Sequence, residues 1–384
     1  MKLLVIADPQ YGAGADLGPQ PWDRLADQDA VGVRAAEIAH EHGVDAVLFA
    51  GDIGERRKPV PRENVAIASF FRRFAPIPVL AIPGNHDIAE IDGPCSLDVF
   101  APEFITLART AQVIEIGGAA VACLPHTSVA RLVASQGGGD RADINRLASG
   151  LLISAAKGLR AECAERFPDL PPLLLGHWGI EGAATESGIE ITQLTEPWLP
   201  LADLEALGFA LVAFGHIHPP KLLSALTAPP VISIGAPMQL KFGEHGERGV
   251  WIFDTETGAT EFVPILSRMF SEIEYDPDEW PHIEFAEAMC MDAIVKVSLH
   301  VTAEQNKRID RRKLTAALYE AGAWKVMPII PDVERETRAR VEGVDETLDE
   351  MEALDAYIKA QGVDAAMAER MRVHTRRYLQ DVGS

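Results

Sequence analysis

The stretch on which both the fold and the chemistry depend is PVLAIPGNHD, residues 78–87. Its first half is a short apolar run, which predicts a buried strand, and the Pro-Gly pair then breaks that strand into a tight turn. The turn presents an amide, an imidazole and a carboxylate in succession, on Asn85, His86 and Asp87. Asn85 can offer a carbonyl oxygen to a metal, His86 can carry a proton, and Asp87 can orient or charge the imidazole. Taken alone, this turn is more typical of a solvated loop, so its interpretation depends on whether the pattern recurs.

The same pattern, an apolar run that ends in a polar side chain, recurs along the chain. The polar residues that follow such runs are Asp8, Asp52, Asn85, His177, His216 and His218. The first three runs alternate with helical patterns at residues 27–42 and 62–74. This βαβαβ order predicts a largely parallel sheet with helices packed outside it. Because the carboxyl ends of parallel strands meet at one edge, we expect the six side chains to converge there.

The donor atoms of these residues indicate a metal site. Carboxylate, amide and imidazole donors without a thiolate suit Mn, Fe, Zn or a related divalent ion better than a structural zinc site or a calcium cage. Six ligands exceed the usual share of one metal, which predicts two metals about 3.5 to 4 Å apart with Asp52 as the bridging carboxylate. Such a pair activates water for attack on a phosphodiester. A lone strand-end Asp is usually a cap, but six comparable positions are hard to explain independently.

The remaining patterns predict further strands and two appendages. Residues 112–116 and 119–124 form a predicted hairpin, and His126 follows it in a loop. The strands predicted between residues 231 and 265 are expected to be mostly antiparallel. We expect a large first domain at residues 1–271, a small α/β capping domain at 272–335, and a C-terminal helical segment at 336–384 that packs on the cap or binds a partner.

Composition and charge restrict the class of protein. The chain has 384 residues, of which 47% are hydrophobic, enough for a substantial core. Four scattered cysteines argue against a disulfide framework, and no apolar run approaches the roughly 20 residues of a membrane span. The first residues reach Asp8 too soon for a signal peptide, so we expect a cytoplasmic protein without a membrane partner. The net charge of −22 would repel a nucleic acid unless bound cations or a basic partner subunit offset it.

The series of strand-end motifs closely resembles the calcineurin-like metallophosphoesterases over roughly residues 1–270. The quoted motifs are Asp8, Gly51-Asp52, Gly84-Asn85-His86-Asp87, Gly176-His177 and Gly215-His216-Ile217-His218. The segment GAPMQLKFGE at residues 235–244, the cap and the C-terminal helices also resemble the SbcD-type DNA repair nucleases, including phage versions. The resemblance implies an α/β fold, an αββα two-sheet sandwich with a small α/β capping domain and C-terminal helices.

The resemblance also implies roles for individual residues. The implied ligands are Asp8, Asp52 and His218 for one metal, and Asp52, Asn85, His177 and His216 for the other. The implied cofactors are two divalent metal ions, with Mn favoured over Fe, Zn or Mg. His86 would protonate the leaving oxygen or stabilise the transition state, and Asp87 would hold its ring.

One residue departs from the family pattern. The first motif of the family reads Asp-x-His, whereas this chain has DPQ at residues 8–10. Gln10 stays among the candidate metal ligands, but a carboxamide is neutral and binds metals more weakly than an imidazole. It coordinates through its oxygen, acts only through a water molecule, or leaves the first metal loosely bound.

The resemblance makes residues 1–271 the nuclease domain and implies a Mn-dependent DNA phosphodiesterase, an exonuclease with or without endonuclease activity that is the nuclease subunit of an SbcCD-like complex. The expected partners are DNA, an SbcC-like ATPase with a long coiled coil, and a second copy in a homodimer. The C-terminal helices would bind the ATPase, which could supply the basic DNA surface that this acidic chain lacks. Two alternatives stay open: a small-molecule phosphodiesterase or phosphatase of the same superfamily, and a scaffold whose altered first motif has weakened catalysis.

Overall fold

In the computed structural model the chain forms two compact units. The described residues are 1–21, 23–88, 94–101, 103–133, 140–183, 196–225, 228–276, 278, 289–333 and 349–382. The first unit comprises Met1–Glu274, Pro281–Val297 and Arg311–Ile329, and the second comprises Tyr275–Trp280, Ser298–Asp310 and Ile330–Ser384. The predicted boundary between residues 335 and 336 lies outside the described residues, and the division into nuclease, cap and C-terminal segment stays a prediction.

Strands and helices alternate through the first half of the chain. The strands are β1 (Lys2–Ile6), β2 (Ala46–Phe49), β3 (Val79–Ala81), β4 (Thr106–Leu107), β5 (Gln112–Ile116), β6 (Ala119–Leu124), β7 (Pro172–His177), β8 (Gly179–Ile180), β9 (Trp198–Leu199), β10 (Leu211–Gly215), β11 (Lys221–Leu222), β12 (Val231–Ser233), β13 (Gly249–Asp254), β14 (Thr260–Pro264), β15 (Phe270–Glu274), β16 (Ile294–Val301), β17 (Lys325–Val326) and β18 (Pro331–Val333). Within the described residues the helices are α1 (Asp23–Glu41), α2 (Pro61–Arg72), α3 (Val129–Val133), α4 (Arg141–Arg166), α5 (Leu201–Glu205), α6 (Ala303–Arg308), α7 (Arg311–Glu320), α8 (Glu350–Gln361) and α9 (Ala365–Val382).

Two six-stranded sheets form the centre of the first unit. The first has the order β14-β13-β1-β2-β3-β4, and its strands β1 to β4 run parallel, as the βαβαβ order predicts. The second has the order β11-β12-β10-β7-β6-β5. Its β5–β6 hairpin is antiparallel, which confirms that prediction, while β6, β7 and β10 run parallel.

The strands between residues 231 and 265 are mostly antiparallel, as predicted. β13 pairs antiparallel with β1 and with β14, and β12 pairs antiparallel with β11 but parallel with β10. The parallel pairing of β12 with β10 fits the burial of this strand, since Val231, Ile232 and Ser233 are all buried. A continuous buried run without alternation is the pattern of a strand covered on both faces, which is typical of parallel sheets.

The side chains of the sheets form three apolar layers. Successive residues of a strand point to opposite faces, so Leu4 and Ile6 of β1 pack toward α1 and α2, while Leu3 and Val5 pack toward the second sheet. The far face of the second sheet packs against α4, for example through Leu152. The order of layers is helix, sheet, sheet, helix, which confirms the αββα sandwich.

The region after residue 290 contributes to both units. In the first unit, Ile294 and Val295 of β16 pair in parallel with β17, and α7 lies between these strands in sequence, as the predicted β-α-β order requires. In the second unit, Leu299 to Val301 pair in parallel with β18, and α8 contacts α9. No helix of the described part of the chain has the length and apolarity needed to cross a membrane.

Candidate metal centre

The predicted polar residues lie together at the carboxyl ends of the strands in the first unit. Asp8 follows β1, Asp52 follows β2, Asn85 follows β3, His177 ends β7, and His216 follows β10. One donor atom from each of Asp8, Asp52 and His177 can be chosen so that all three lie within 4.8 Å of one another. All three side chains are buried, so this cluster can hold a cation away from bulk water.

The backbone around the cluster adopts rare conformations. The φ angles are 55° at Asp8, 41° at Gln10, 56° at Asp52 and 94° at His216. A positive φ is uncommon outside glycine, and such positions cluster at functional sites, where surrounding contacts hold them. Here the holding contacts are backbone hydrogen bonds, since Asp8 N donates to Gly51 O at 3.0 Å and Gln10 N donates to Asp52 O at 3.2 Å.

Two glycines allow the loops after β2 and β3 to touch. A Cβ atom on Gly84 would overlap the Asp52 carboxylate, and one on Gly51 would overlap the backbone of Gly84. Gly51 also has a φ of 91°, which a side chain rarely tolerates. This close approach lets His86 N donate to Asp52 Oδ1 at 2.8 Å, which links the turn to the candidate bridging carboxylate.

Three hydrogen-bond acceptors converge at one point of the site. His177 Nδ1 donates to Ala50 O at 2.6 Å and His216 Nε2 donates to Glu196 Oε2 at 2.9 Å, so in the neutral form of each ring the other nitrogen carries a lone pair. Both lone pairs point at Asn85 Oδ1, from His177 Nε2 at 3.0 Å and from His216 Nδ1 at 3.0 Å. Facing lone pairs repel one another unless a cation or a proton lies between them. The arrangement therefore fits a divalent metal, whose imidazole ligands are typically held by a hydrogen bond on the opposite nitrogen.

A second group of polar side chains surrounds His218. Its Nδ1 lies 3.1 Å from Oε1 of the buried Glu244, and its Nε2 lies 3.1 Å from Gln10 Nε2. The Asp8 carboxylate is fixed by the backbone N–H of His216 at 3.0 Å. Glu244 thus supports His218 in the way that Glu196 supports His216. The structure brings Gln10 into the site, and whether it ligates a metal stays a prediction.

The electrostatics of the buried carboxylates favour a bound cation. Burial raises the pKa of Asp8, and the neighbouring Asp52 carboxylate raises it further. Burial also opposes ionisation of Asp52, but His177 and His86 together outweigh burial and hold the Asp52 pKa below its usual range. Two carboxylates side by side in a buried site repel each other, and a divalent cation removes that repulsion.

We expect metal affinity to rise with pH because His177 must lose a proton on binding. Burial lowers the pKa of His177, but the carboxylates of Asp52 and Asp8 outweigh burial and raise it to about 9. Only the neutral ring ligates a metal, so below that pKa the affinity for Mn²⁺ should rise about tenfold per pH unit. Calorimetric titration in two buffers of different ionisation enthalpy, between about pH 6.5 and 8.5, measures the released protons. In His177→Gln the affinity for Mn²⁺ should rise less steeply with pH. A wild-type affinity that does not change with pH would contradict the prediction.

Asp87 does not hold the His86 ring, which corrects the role implied by the resemblance. Its buried carboxylate accepts four hydrogen bonds. The donors are Gly84 N at 2.8 Å, Asp52 N at 2.7 Å, Ile53 N at 3.2 Å and Ser96 Oγ at 3.0 Å. An Asp at the end of a tight turn folds back onto the N–H groups of that turn, while the preceding residue points elsewhere. Asp87 therefore positions the backbone of both loops and is not the partner of the imidazole.

The ring of His86 is held by a backbone carbonyl instead. His86 Nδ1 lies 2.6 Å from Glu55 O, so this nitrogen carries the proton and donates it. The ring lines a cavity of about 460 Å³ together with Asp52, Asn85 and His218. Nε2 is the ring atom left to meet a substrate in that cavity.

Sequence patterns did not indicate Glu196 or Glu244. Neither follows an apolar run, and the two supporting contacts join loops that are 20 and 26 residues apart in the chain. The one signal in the sequence is that Glu244 ends the segment GAPMQLKFGE, which carries part of the resemblance.

The chain matches the family model described as calcineurin-like phosphoesterase over residues 1–220. The chain belongs to this family. It is therefore a metal-dependent hydrolase of phosphoesters, a phosphodiesterase, and the predicted family, fold class and enzyme class are confirmed. The candidate ligands and catalytic residues stay predictions at the level of each side chain.

Two proteins similar in sequence match most of the chain. Exonuclease subunit 1 of Enterobacteria phage T4 is 23% identical over 283 residues, which are 72% of this chain and 71% of that protein. The SbcD subunit of the SbcCD nuclease from Rhodobacter capsulatus is 26% identical over 290 residues, which are 67% of this chain and 67% of that protein.

Solved structures also show similarity. A protein of Thermus thermophilus gives a TM-score of 0.37 at 17% identity, covering 68% of this chain and 98% of that one. A dimetal phosphatase from Danio rerio gives a TM-score of 0.39 at 11% identity, covering 66% of this chain and 91% of that one.

Replacing Gln10 with histidine should tighten the weaker of the two predicted metal sites. Gln10 Nε2 lies 3.1 Å from His218 Nε2, so an imidazole at this position would enter the same group of donors. We expect the dissociation constant of the weaker Mn²⁺ to fall about tenfold, as typical for changes next to a metal. Equilibrium dialysis followed by metal analysis measures it. Gln20→His, in an exposed loop, controls for the added imidazole, and unchanged affinity in Gln10→His would show that residue 10 is not close to a metal.

Proposed function

We propose that this protein is a Mn-dependent DNA phosphodiesterase that acts as the nuclease subunit of a complex with a coiled-coil ATPase. The observation that carries the proposal is the convergence of Asn85 Oδ1 with the lone pairs of His177 and His216, beside the carboxylates of Asp8 and Asp52. The names of the two similar proteins support a nuclease subunit, since one is an exonuclease subunit and the other belongs to the SbcCD nuclease.

In this proposal the site holds two divalent cations. The proposed ligands are Asp8, Asp52, His218 and Gln10 for one, and Asp52, Asn85, His177 and His216 for the other. Bound there, the metals would neutralise charge on the phosphate oxygens and activate the attacking water. Mn is the proposed metal because most of the proposed ligand atoms are carboxylate and amide carbonyl oxygens, which suit Mn²⁺. Fe, Zn and Mg are the alternative metals.

The protein itself supplies the proton for the leaving oxygen. The carbonyl of Glu55 keeps His86 Nδ1 protonated and fixes the orientation of the ring. To act as the acid, the ring must enter the reaction protonated on both nitrogens, and the proton on Nε2 passes to the leaving oxygen while Glu55 O keeps the one on Nδ1. Because His86 N is hydrogen-bonded to Asp52 Oδ1, the acid and the candidate bridging ligand stay in a fixed relation.

The acidic net charge is compatible with DNA as the substrate when the local charges are considered. Arg57 and Lys241 line the cavities that open from the site. Bound cations add positive charge where the phosphodiester must lie. The ATPase partner and a second copy of the chain would extend this surface, and both partners belong to the proposal.

The test is cleavage of linear DNA by the purified chain, with and without its ATPase partner, in Mn²⁺, Mg²⁺, Zn²⁺ or Fe²⁺. We expect cleavage of DNA with Mn²⁺ and its loss in Asp52→Asn. Cleavage of bis(p-nitrophenyl) phosphate or cyclic nucleotides without cleavage of DNA would instead support a small-molecule phosphodiesterase. About one metal per chain and no turnover of any phosphoester would support a scaffold.

A further inference from the structure

A second cavity of about 580 Å³ lies beside the candidate metal centre in the first unit. The two cavities share Asn85, so they meet at one of the proposed metal ligands. No step of the proposed reaction uses this space. Its lining combines an apolar wall, a rim of guanidinium groups and one histidine.

The wall and the rim have different chemistry. Apolar side chains at the end of β6 and on α4, among them Leu124 and Leu151, form the wall. The rim carries three exposed arginines, Arg57, Arg109 and Arg131, which come from separate segments of the chain. Arg109 also lies 3.4 Å from Asp98, which holds its guanidinium at the rim. An apolar surface next to several cations fits a ligand that has a flat apolar part and an anionic part.

His126 adds a polar group whose ring nitrogen lacks a partner in the described part of the chain. Its ring stacks on Trp178 with the centroids 4.5 Å apart and the planes at 26°, and it meets the His177 ring edge to face at 6.2 Å. Its Nδ1 is buried and has no hydrogen-bond partner among the described residues. Buried polar atoms are normally satisfied, so His126 beside this cavity has a hydrogen bond still to make.

We propose that this cavity binds one unpaired nucleotide next to the scissile phosphodiester. This inference rests on the proposed function and names the part of DNA that the neighbouring subsite takes. A base stacks on apolar surfaces, its edge meets His126, and its phosphate meets the arginines. The volume lies within the about 300 to 1,000 Å³ of small-molecule sites, which accommodates a nucleotide and excludes a duplex. The strand must therefore leave its partner strand before this nucleotide can bind.

The experiment compares two substrates that share the chemistry and differ in the neighbouring nucleotide. One is a single-stranded oligonucleotide, intact or with an abasic site next to the cleaved bond, and the other is bis(p-nitrophenyl) phosphate. The variants are Arg57→Gln, whose side chain is exposed in a loop, and the double variant Arg57→Gln/Arg131→Gln. Arg34→Gln, on the exposed face of α1, is the matched control for the loss of charge.

The measured quantity is the ratio of kcat/KM for the oligonucleotide to kcat/KM for the small ester. We expect this ratio to fall at least about tenfold in the double variant, less in Arg57→Gln, and not at all in Arg34→Gln. The abasic site should lower kcat/KM about tenfold in the wild type, in line with one lost stacking contact. An unchanged ratio in the double variant, or equal rates on intact and abasic strands, would overturn the subsite.

A binding measurement separates this inference from the proposed function. If the wild type hydrolyses neither substrate, the proposed function fails. Fluorescence anisotropy without added metal then compares binding of the intact and abasic oligonucleotides. Tighter binding of the intact strand, lost in Arg57→Gln/Arg131→Gln, would support the subsite, whereas equal binding would refute it.

Discussion

Replacing His86 with alanine should lower kcat about 10²- to 10⁴-fold, the usual contribution of a general acid, while the protein keeps both metals. The ring donates through Nδ1 to Glu55 O, and the contact of this residue with the candidate bridging ligand runs through its backbone N, which reaches Asp52 at 2.8 Å. Alanine keeps that backbone bond. The measurement is kcat together with metal content by mass spectrometry.

The leaving group gives this prediction a sharper test. A p-nitrophenolate leaves without a proton, whereas the sugar oxygen of a nucleotide needs one. The loss in His86→Ala should therefore be smaller on bis(p-nitrophenyl) phosphate than on a dinucleotide. His40→Ala, on the exposed face of α1, is the control. If His86→Ala emptied the metal site, or lost equal activity on both substrates, His86 would not be the acid.

The order of strands made most of the fold predictable. Buried runs such as β1 and β2 leave no polar face, which is typical of parallel strands, and the helical patterns between them place the helices outside. The position of Asp8 and Asp52 followed from the same rule, since parallel strands bring their carboxyl ends together. The parallel pairing of β12 with β10 was not predicted, because adjacency in sequence does not determine which strands lie side by side in the sheet.

The contacts between residues of different loops could not be predicted from the sequence. Glu196 and Glu244 support His216 and His218, yet neither stands at a strand end or in a periodic pattern. The sequence suggested that Asp87 holds the ring of His86, because the two residues are adjacent in the chain. In the structure the Asp87 carboxylate is bonded to other groups. The structure shows that the Asp87 carboxylate accepts from backbone N–H groups of its own turn and of the loop after β2, each of which would cost about 1 to 3 kcal/mol if left buried and unpaired.

Asp52→Asn should remove both metals, whereas Asn85→Ala should remove one. Asp52 lies between the two groups of donors: Oδ1 accepts from His86 N, Oδ2 lies 3.4 Å from His177 Nε2, and its donor atoms cluster with those of Asp8. Asparagine keeps the size but loses the charge, so we expect affinity for both metals to fall by more than about 100-fold, beyond the loss seen for indirect contacts. The Asn85 amide oxygen meets His177 and His216, which belong to one proposed metal, so its loss affects that metal. Metal content and turnover measure both effects, and two retained metals in Asp52→Asn would contradict its role as the bridge.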